Sequence, residues 1–252
     1  MHHITKGSKN LPVVVFIHGF LESLDIWNEI TDYFSDHYYC LLVDLPGHGA
    51  SISNKKVHTM QESALSICDI LKANQIKKAT LIGHSMGGYV ALAILRHRPK
   101  VVQGLLLLNS TSYKDSPEKR VYRDRAIRLV SRNKKAFIHM AITNLVSKEG
   151  LIKYQKEIKN LISKANQVTS QHIVATLKGI KEREDQFELF KNFDGLKAIF
   201  SGEKDTIIPN HLSKSEAALS DSYMKTFKGG HLSYLENRDL FKIELEKFLN
   251  EI

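Results

Sequence analysis

Residues 79–88 read Ala79-Thr80-Leu81-Ile82-Gly83-His84-Ser85-Met86-Gly87-Gly88, and this stretch decides the fold. Ala79–Ile82 is a short apolar run of the kind that forms a strand buried on both faces. Tyr89–Leu95, just beyond, is apolar and helix-forming. Between the two, Gly83–Gly87 matches G-x-S-x-G. A bare match is common by chance, but one set between a strand and a helix has the context of a nucleophile elbow. Small residues at Gly83 and Gly87 let backbone and helix approach closely. Ser85 then projects its hydroxyl from the sheet edge, and the helix N-terminus favours developing negative charge. The competing reading is a glycine-rich turn carrying an inert serine.

Working outward, Val13–Ile17, Tyr39–Val43, Leu105–Leu108 and Ala198–Phe200 are further apolar runs, with Met224–Phe227 a weaker one. They are continuous rather than alternating, which suits a parallel sheet covered on both sides. Helical spacing separates them at Thr59–Asn74 (Ala64, Leu65, Ile67, Cys68, Leu71), Gly87–His97 and Arg238–Leu249. Alternating strands and helices imply an α/β fold with a mostly parallel central sheet flanked by helices. The rhythm breaks after Ser110. Residues 112–192 contain no convincing strand, only helical patterns such as Leu151, Tyr154, Ile158, Leu161 and Ile162, then Ile173, Leu177 and Ile180. The division expected is therefore a core of residues 1–111 and 193–252 with a helical insertion at 112–192.

A serine hydroxyl needs a positioned base to act as a nucleophile. His231, in Gly229-Gly230-His231 after the last strand, is the candidate. A carboxylate must fix its tautomer and stabilise the imidazolium. Asp205, just beyond the strand Ala198–Phe200, is preferred; Glu203 and Asp115 are the alternatives. The chain order Ser85, Asp205, His231 is nucleophile, acid, base. Two backbone donors must face the reacting carbonyl oxygen. Position assigns them to the N–H groups of Met86, after the serine, and of Phe20, in the loop His18-Gly19-Phe20. His18 reads as a structural residue that hydrogen-bonds within its loop.

With the segment Asp44-Leu45-Pro46-Gly47-His48-Gly49-Ala50-Ser51 (D-x-P-G-x-G-x-S) and Gly202-Glu203-Lys204-Asp205, these pieces resemble the α/β-hydrolase family over nearly the whole chain. The resemblance is to a serine carboxylesterase-like member. It implies that Asp44–Ser51 shapes a turn and that residues 112–192 form a lid over the active site. It implies hydrolysis of a small or medium carboxylic ester through an acyl-enzyme intermediate, with no cofactor and no metal. Serine at the elbow argues against branches that use aspartate there. One alternative is a lyase resembling 2-succinyl-6-hydroxy-2,4-cyclohexadiene-1-carboxylate synthase, which His18–Ser23 and Asp44–Ser51 resemble, or a carbon–carbon bond hydrolase. Against the synthase, Tyr89 stands where that family places an arginine. A catalytically silent ligand-binding receptor is the other alternative.

Composition bounds the remainder. The 252 residues are 42% hydrophobic and 25% charged, enough to bury one full core. No apolar run reaches the roughly 18 residues needed to span a bilayer. The start, MHHITKGSKN, lacks a signal-like apolar region, so a cytoplasmic location is expected. His2 and His3 read as part of a flexible end. Cys40 and Cys68 fall on apolar patterns and read as small core residues. The formal charge is +9, and residues 112–192 alone hold 18 basic against 9 acidic residues. Lys-rich solvated helix faces explain that excess more simply than nucleic-acid binding; the partner that the resemblance implies is a small-molecule ester. The oligomeric state is not specified by the sequence.

Overall fold

A computed structural model describes residues 1–252. Seven strands form its single sheet: β1 (His3–Lys6), β2 (Val13–Ile17), β3 (Tyr39–Val43), β4 (Ala79–His84), β5 (Val102–Leu108), β6 (Leu196–Gly202) and β7 (Tyr223–Phe227). Their spatial order is β1-β3-β2-β4-β5-β6-β7, parallel throughout except for β1, which pairs antiparallel with β3. The helices are α1 (Asn28–Phe34), α2 (Met60–Ala73), α3 (Met86–His97), α4 (Pro117–Arg132), α5 (Lys134–Thr143), α6 (Lys148–Lys153), α7 (Gln155–Ala165), α8 (Ser170–Lys181), α9 (Phe187–Lys191), α10 (Asn210–Ser220), α11 (Ser233–Glu236) and α12 (Arg238–Asn250).

Successive residues of each strand supply opposite faces, so the sheet separates two cores. Val14, Phe16, Leu42, Leu106 and Phe200 face Trp27, Phe34, Phe241 and Phe248. Val15, Ile17, Leu41, Leu105 and Ile199 face the apolar sides of α2 and α3. Each fully buried side chain of this size contributes about 1.5–3 kcal/mol. Double-sided burial explains why these strands are apolar without alternation.

Local chemistry sets the boundaries. Thr59 caps α2 by accepting the Glu62 N–H at 3.1 Å, and Ser116 caps α4, with Pro117 at its first position. All of α4 to α9 lie between β5 and β6. No helix is long and apolar enough to cross a membrane.

Several expectations change. His2 and His3 are not in a flexible end: His3 opens β1, and His2 Nδ1 lies 2.7 Å from Asp44 Oδ2. This edge strand is only half-buried, so it carries no apolar signature. Helices α1 and α10 also escape the pattern: α1 has only seven residues, and α10 buries small or polar side chains, Ser213, Glu216, Ala217 and Ser220. Strands β4 and β5 run two and three residues beyond their apolar stretches, and β6 two residues at each end, because Gly83, His84, Gly104, Lys197 and Gly202 also belong to the ladder.

Candidate active site

After β2 the chain adds β3 on one side and β4 on the other, so the loops leaving β2 and β4 diverge at the sheet's C-terminal edge. Such a switch point leaves a crevice. The loop after β2 supplies Gly19 and Phe20, and the turn after β4 supplies Ser85. Ser85 has φ +51° and ψ −115°, a strained conformation for a non-glycine residue. It is held there because α3 lies against β2 and β4. A Cβ on Gly87 would collide with the Ile17 carbonyl, and one on Gly83 with the Gly87 and Gly88 backbone. Both glycines are required for close approach.

The loops after β6 and β7 bring Asp205 and His231 to the same edge. Asp205 Oδ2 lies 2.7 Å from His231 Nδ1, and His231 Nε2 lies 2.8 Å from Ser85 Oγ. Asp205 Oδ1 accepts the N–H groups of Ile207 (2.8 Å) and Ile208 (2.9 Å), while Asn109 Nδ2 donates to Oδ2 at 2.9 Å. Burial raises the Asp205 pKa, but His231 and these donors outweigh it and leave it below the ordinary carboxylate value. An ionised Asp205 only accepts, so Nδ1 carries the proton and Nε2 is free to accept from Ser85. This arrangement can take a proton from the serine hydroxyl.

Met86 opens α3, where a helix leaves its first N–H groups unpaired. No protein acceptor takes the Phe20 N–H. Both residues line one cavity of about 370 Å³ with Ser85 and His231. Its far wall belongs to the α4–α8 segment, through Leu129, Phe137, Met140, Ala141, Leu145 and Leu177, together with Arg123 and Arg125.

Three residues outside the expected set hold this edge together. Glu22 accepts from the Gly19 N–H (2.6 Å), His84 Nδ1 (2.8 Å) and Tyr234 Oη (2.9 Å). His84 Nε2 lies 3.0 Å from the His231 carbonyl oxygen. Both partners of His84 only accept, so both ring nitrogens must carry protons and the ring is an imidazolium. Burial lowers the His84 pKa, but Glu22 and the His231 carbonyl outweigh it and raise it. Glu22 is lowered, the buried charge being offset first by His84. Glu236 is a second clasp. It accepts from the Gly230 N–H at 2.7 Å, the Ser147 N–H at 3.2 Å and the Ser147 hydroxyl. The His231 N–H also donates to the Leu145 carbonyl at 2.6 Å, so residues 145–147 are fastened to the His231 loop.

The other candidates lie apart. Glu203 is exposed. Asp115 is buried against Arg123 and Arg183 and takes no bond from His231. His18 accepts the Leu45 N–H at 2.9 Å and lies 2.7 Å from the Gly19 carbonyl. Asp44 accepts the N–H groups of Leu24 and Ala50, both at 2.9 Å, and so shapes its turn. Glu22 was visible in His18–Ser23 but gave no signal, because its side-chain partners, His84 and Tyr234, are 62 and 212 residues away.

Comparison with known proteins agrees with this architecture. A family model described as the alpha/beta hydrolase fold matches residues 12–238. The chain is 26% identical to an uncharacterized hydrolase, YugF, of Bacillus subtilis, covering 98% of this chain and 92% of that one. It is 33% identical over 122 residues to an Escherichia coli 2-succinyl-6-hydroxy-2,4-cyclohexadiene-1-carboxylate synthase, 48% of each chain. Among solved structures, a thermophilic esterase from Thermogutta terrifontis superimposes with a TM-score of 0.90 at 26% identity, covering 99% of this chain and 93% of that one.

Proposed function

The chain belongs to the alpha/beta hydrolase fold family, and from that premise we propose that it is a serine hydrolase of a small or medium carboxylic ester. The observation that carries this reading is the continuous hydrogen-bonded line Ser85–His231–Asp205 opening into an apolar cavity. Ser85 Oγ attacks the ester carbonyl while His231 Nε2 takes its proton, and Asp205 stabilises the resulting imidazolium. The amides of Phe20 and Met86 receive the oxyanion. The tetrahedral intermediate collapses to an acyl-Ser85 ester as His231 protonates the departing alcohol. Water, activated by the same ring, then releases the acid. No step requires a metal or an organic cofactor. Residues 112–192 act as a lid whose inner face selects the acyl or alcohol portion.

A fluorophosphonate probe is expected to label the folded chain once, at Ser85. Failure to label would favour a catalytically silent receptor. Chain-length preference among p-nitrophenyl acetate, butyrate and octanoate reports the reach of the cavity.

The Glu236 clasp makes a separate demand. Glu236→Ala removes the link between Ser147 and Gly230, leaves only the Leu145–His231 backbone bond, and loosens the aim of His231. Turnover is expected to fall roughly ten- to a hundredfold, since displacements near 1 Å have costs of that order. Steady-state kinetics beside circular dichroism checks this; full activity in a folded variant would leave the clasp without a role in positioning.

A second reading, a lyase or carbon–carbon bond hydrolase, is favoured by the resemblance to the synthase across half the chain. Turnover of the synthase substrate, without ester hydrolysis, would select it.

A further inference from the structure

Helix α4 presents a face to the cavity on which two arginines stand among apolar residues: Tyr122, Arg123, Arg125, Ala126 and Leu129. A basic residue at an apolar wall needs a reason, and the arrangement behind Arg123 supplies one. Asp115 has no exposed side chain and lies between two guanidinium groups. Arg183, only 5% exposed, approaches Asp115 Oδ1 at 2.7 Å, donates to the Tyr113 carbonyl at 3.0 Å, and lies over the Tyr89 ring at 4.0 Å. Its donors are turned to the protein. Arg123 differs, because only Nε is engaged, donating to Asp115 Oδ2 at 3.1 Å. Its two Nη groups have no protein acceptor.

Lys119, one turn earlier on α4, adds a second incompletely used cation. Its Nζ donates to a single neutral acceptor, the carbonyl of Ile207, at 3.3 Å, and Ile207 itself lines the cavity. Burial lowers the Lys119 pKa and, although Asp115 raises it, Arg183 and Arg123 lower it further. Three cations thus share the one carboxylate of Asp115, while nearby Asp205 is committed to His231, Asn109 and two backbone amides. The excess positive charge sits beside the cavity with donors to spare.

We propose that the substrate is an ester carrying a carboxylate, received by the Nη groups of Arg123 on the α4 wall, with the Lys119 ammonium, bonded to the carbonyl of the lining residue Ile207, adding positive charge. This rests on the cavity being the ester site. Asp115 is then a positioning residue: by holding Nε it fixes the plane of the guanidinium and aims the remaining fork. A planar fork matches a carboxylate in bidentate fashion. The cavity, about 370 Å³, lies near the lower end for small-molecule sites, which suits a compact half-ester. The proposal also explains why an otherwise apolar wall carries an arginine oriented by a buried carboxylate.

The test is calorimetric binding to the Ser85→Ala chain, which does not depend on turnover. Monomethyl glutarate carries the anion on the acyl side and 3-acetoxypropanoate on the alcohol side. Methyl glutaramate and 3-acetoxypropanamide are their neutral isosteres. One of the two anions is expected to bind at least about tenfold more tightly than its amide, as charge-assisted hydrogen bonds provide. Added salt should reduce that ratio. Arg123→Gln should bring it close to unity, and Lys119→Met, which leaves Asp115 paired, should lower it severalfold. Equal affinities of both anions and their amides, or a preference retained by both variants, would overturn the proposal. Preferred binding of an anion that the wild type does not hydrolyse would remove the esterase reading and leave the subsite standing. Hydrolysis of both members of each pair with equal kcat/KM would do the reverse.

Discussion

Replacing Ser85 with alanine is expected to lower kcat/KM for ester hydrolysis at least roughly a thousandfold, a floor below the roughly millionfold loss in kcat that deleting a serine nucleophile can cause. The variant is a clean probe, because alanine keeps the Cβ and removes only the oxygen that meets His231 Nε2. Neighbouring contacts at the turn are made by main chain and by glycines, not by the hydroxyl: the Ser85 N–H donates to the Leu108 carbonyl and the Ser85 carbonyl accepts from Ser110 Oγ. The strained φ of +51° is imposed by that packing and persists with alanine. Some catalysis should survive, since the Phe20 and Met86 amides and the cavity would still bind and polarise a carbonyl. Activity within a few-fold of wild type would remove Ser85 as the nucleophile. A silent wild type would move weight to the lyase or carbon–carbon reading while leaving the fold untouched.

The sheet was legible because its strands are buried on both faces and therefore apolar without interruption, as in Val13–Ile17 and Tyr39–Val43. Ser85, Asp205 and His231 stood out for a related reason. Each follows a readable strand, and strand ends in a parallel sheet converge on one edge. What stayed hidden depends on contacts with no local trace. The half-buried β1 pairs through backbone atoms. Glu22, His84 and Tyr234 meet only after folding, as do Glu236 and Ser147. The α4 segment read as helical and basic, but its 16 residues include a single fully buried one, Val130, so no apolar stripe marked which face meets the cavity. The division between structural Arg183 and free-forked Arg123 follows from where Asp115 sits, and spacing alone does not reveal it.

Glu22→Ala is expected to destabilise the fold by about 3–5 kcal/mol at pH 5.5, the range for removing one partner of a buried ion pair. The side chains of Glu22 and His84 are 3% and 1% exposed, so solvent cannot replace the lost carboxylate. The Gly19 N–H and the Tyr234 hydroxyl lose their acceptor as well. The pH dependence identifies the pair. Glu22 has a lowered folded pKa, so its contribution is present above about 4.5 and is lost as pH falls through the folded value. His84 has a raised folded pKa, so its contribution is full below about 6.5 and is lost as pH rises through the folded value. The wild-type advantage over Glu22→Ala should therefore peak between about pH 4.5 and 6.5 and shrink on both sides. Denaturant unfolding at pH 3.5, 5.5 and 8.5 measures it. A difference independent of pH would assign the loss to packing and the neutral hydrogen bonds alone. A peak in that window would mean that the ring next to Ser85 is a cation there. That cation ties the Gly19–Phe20 loop, through Glu22, to the backbone of His231, so the proposed oxyanion donors and the proposed base share one support.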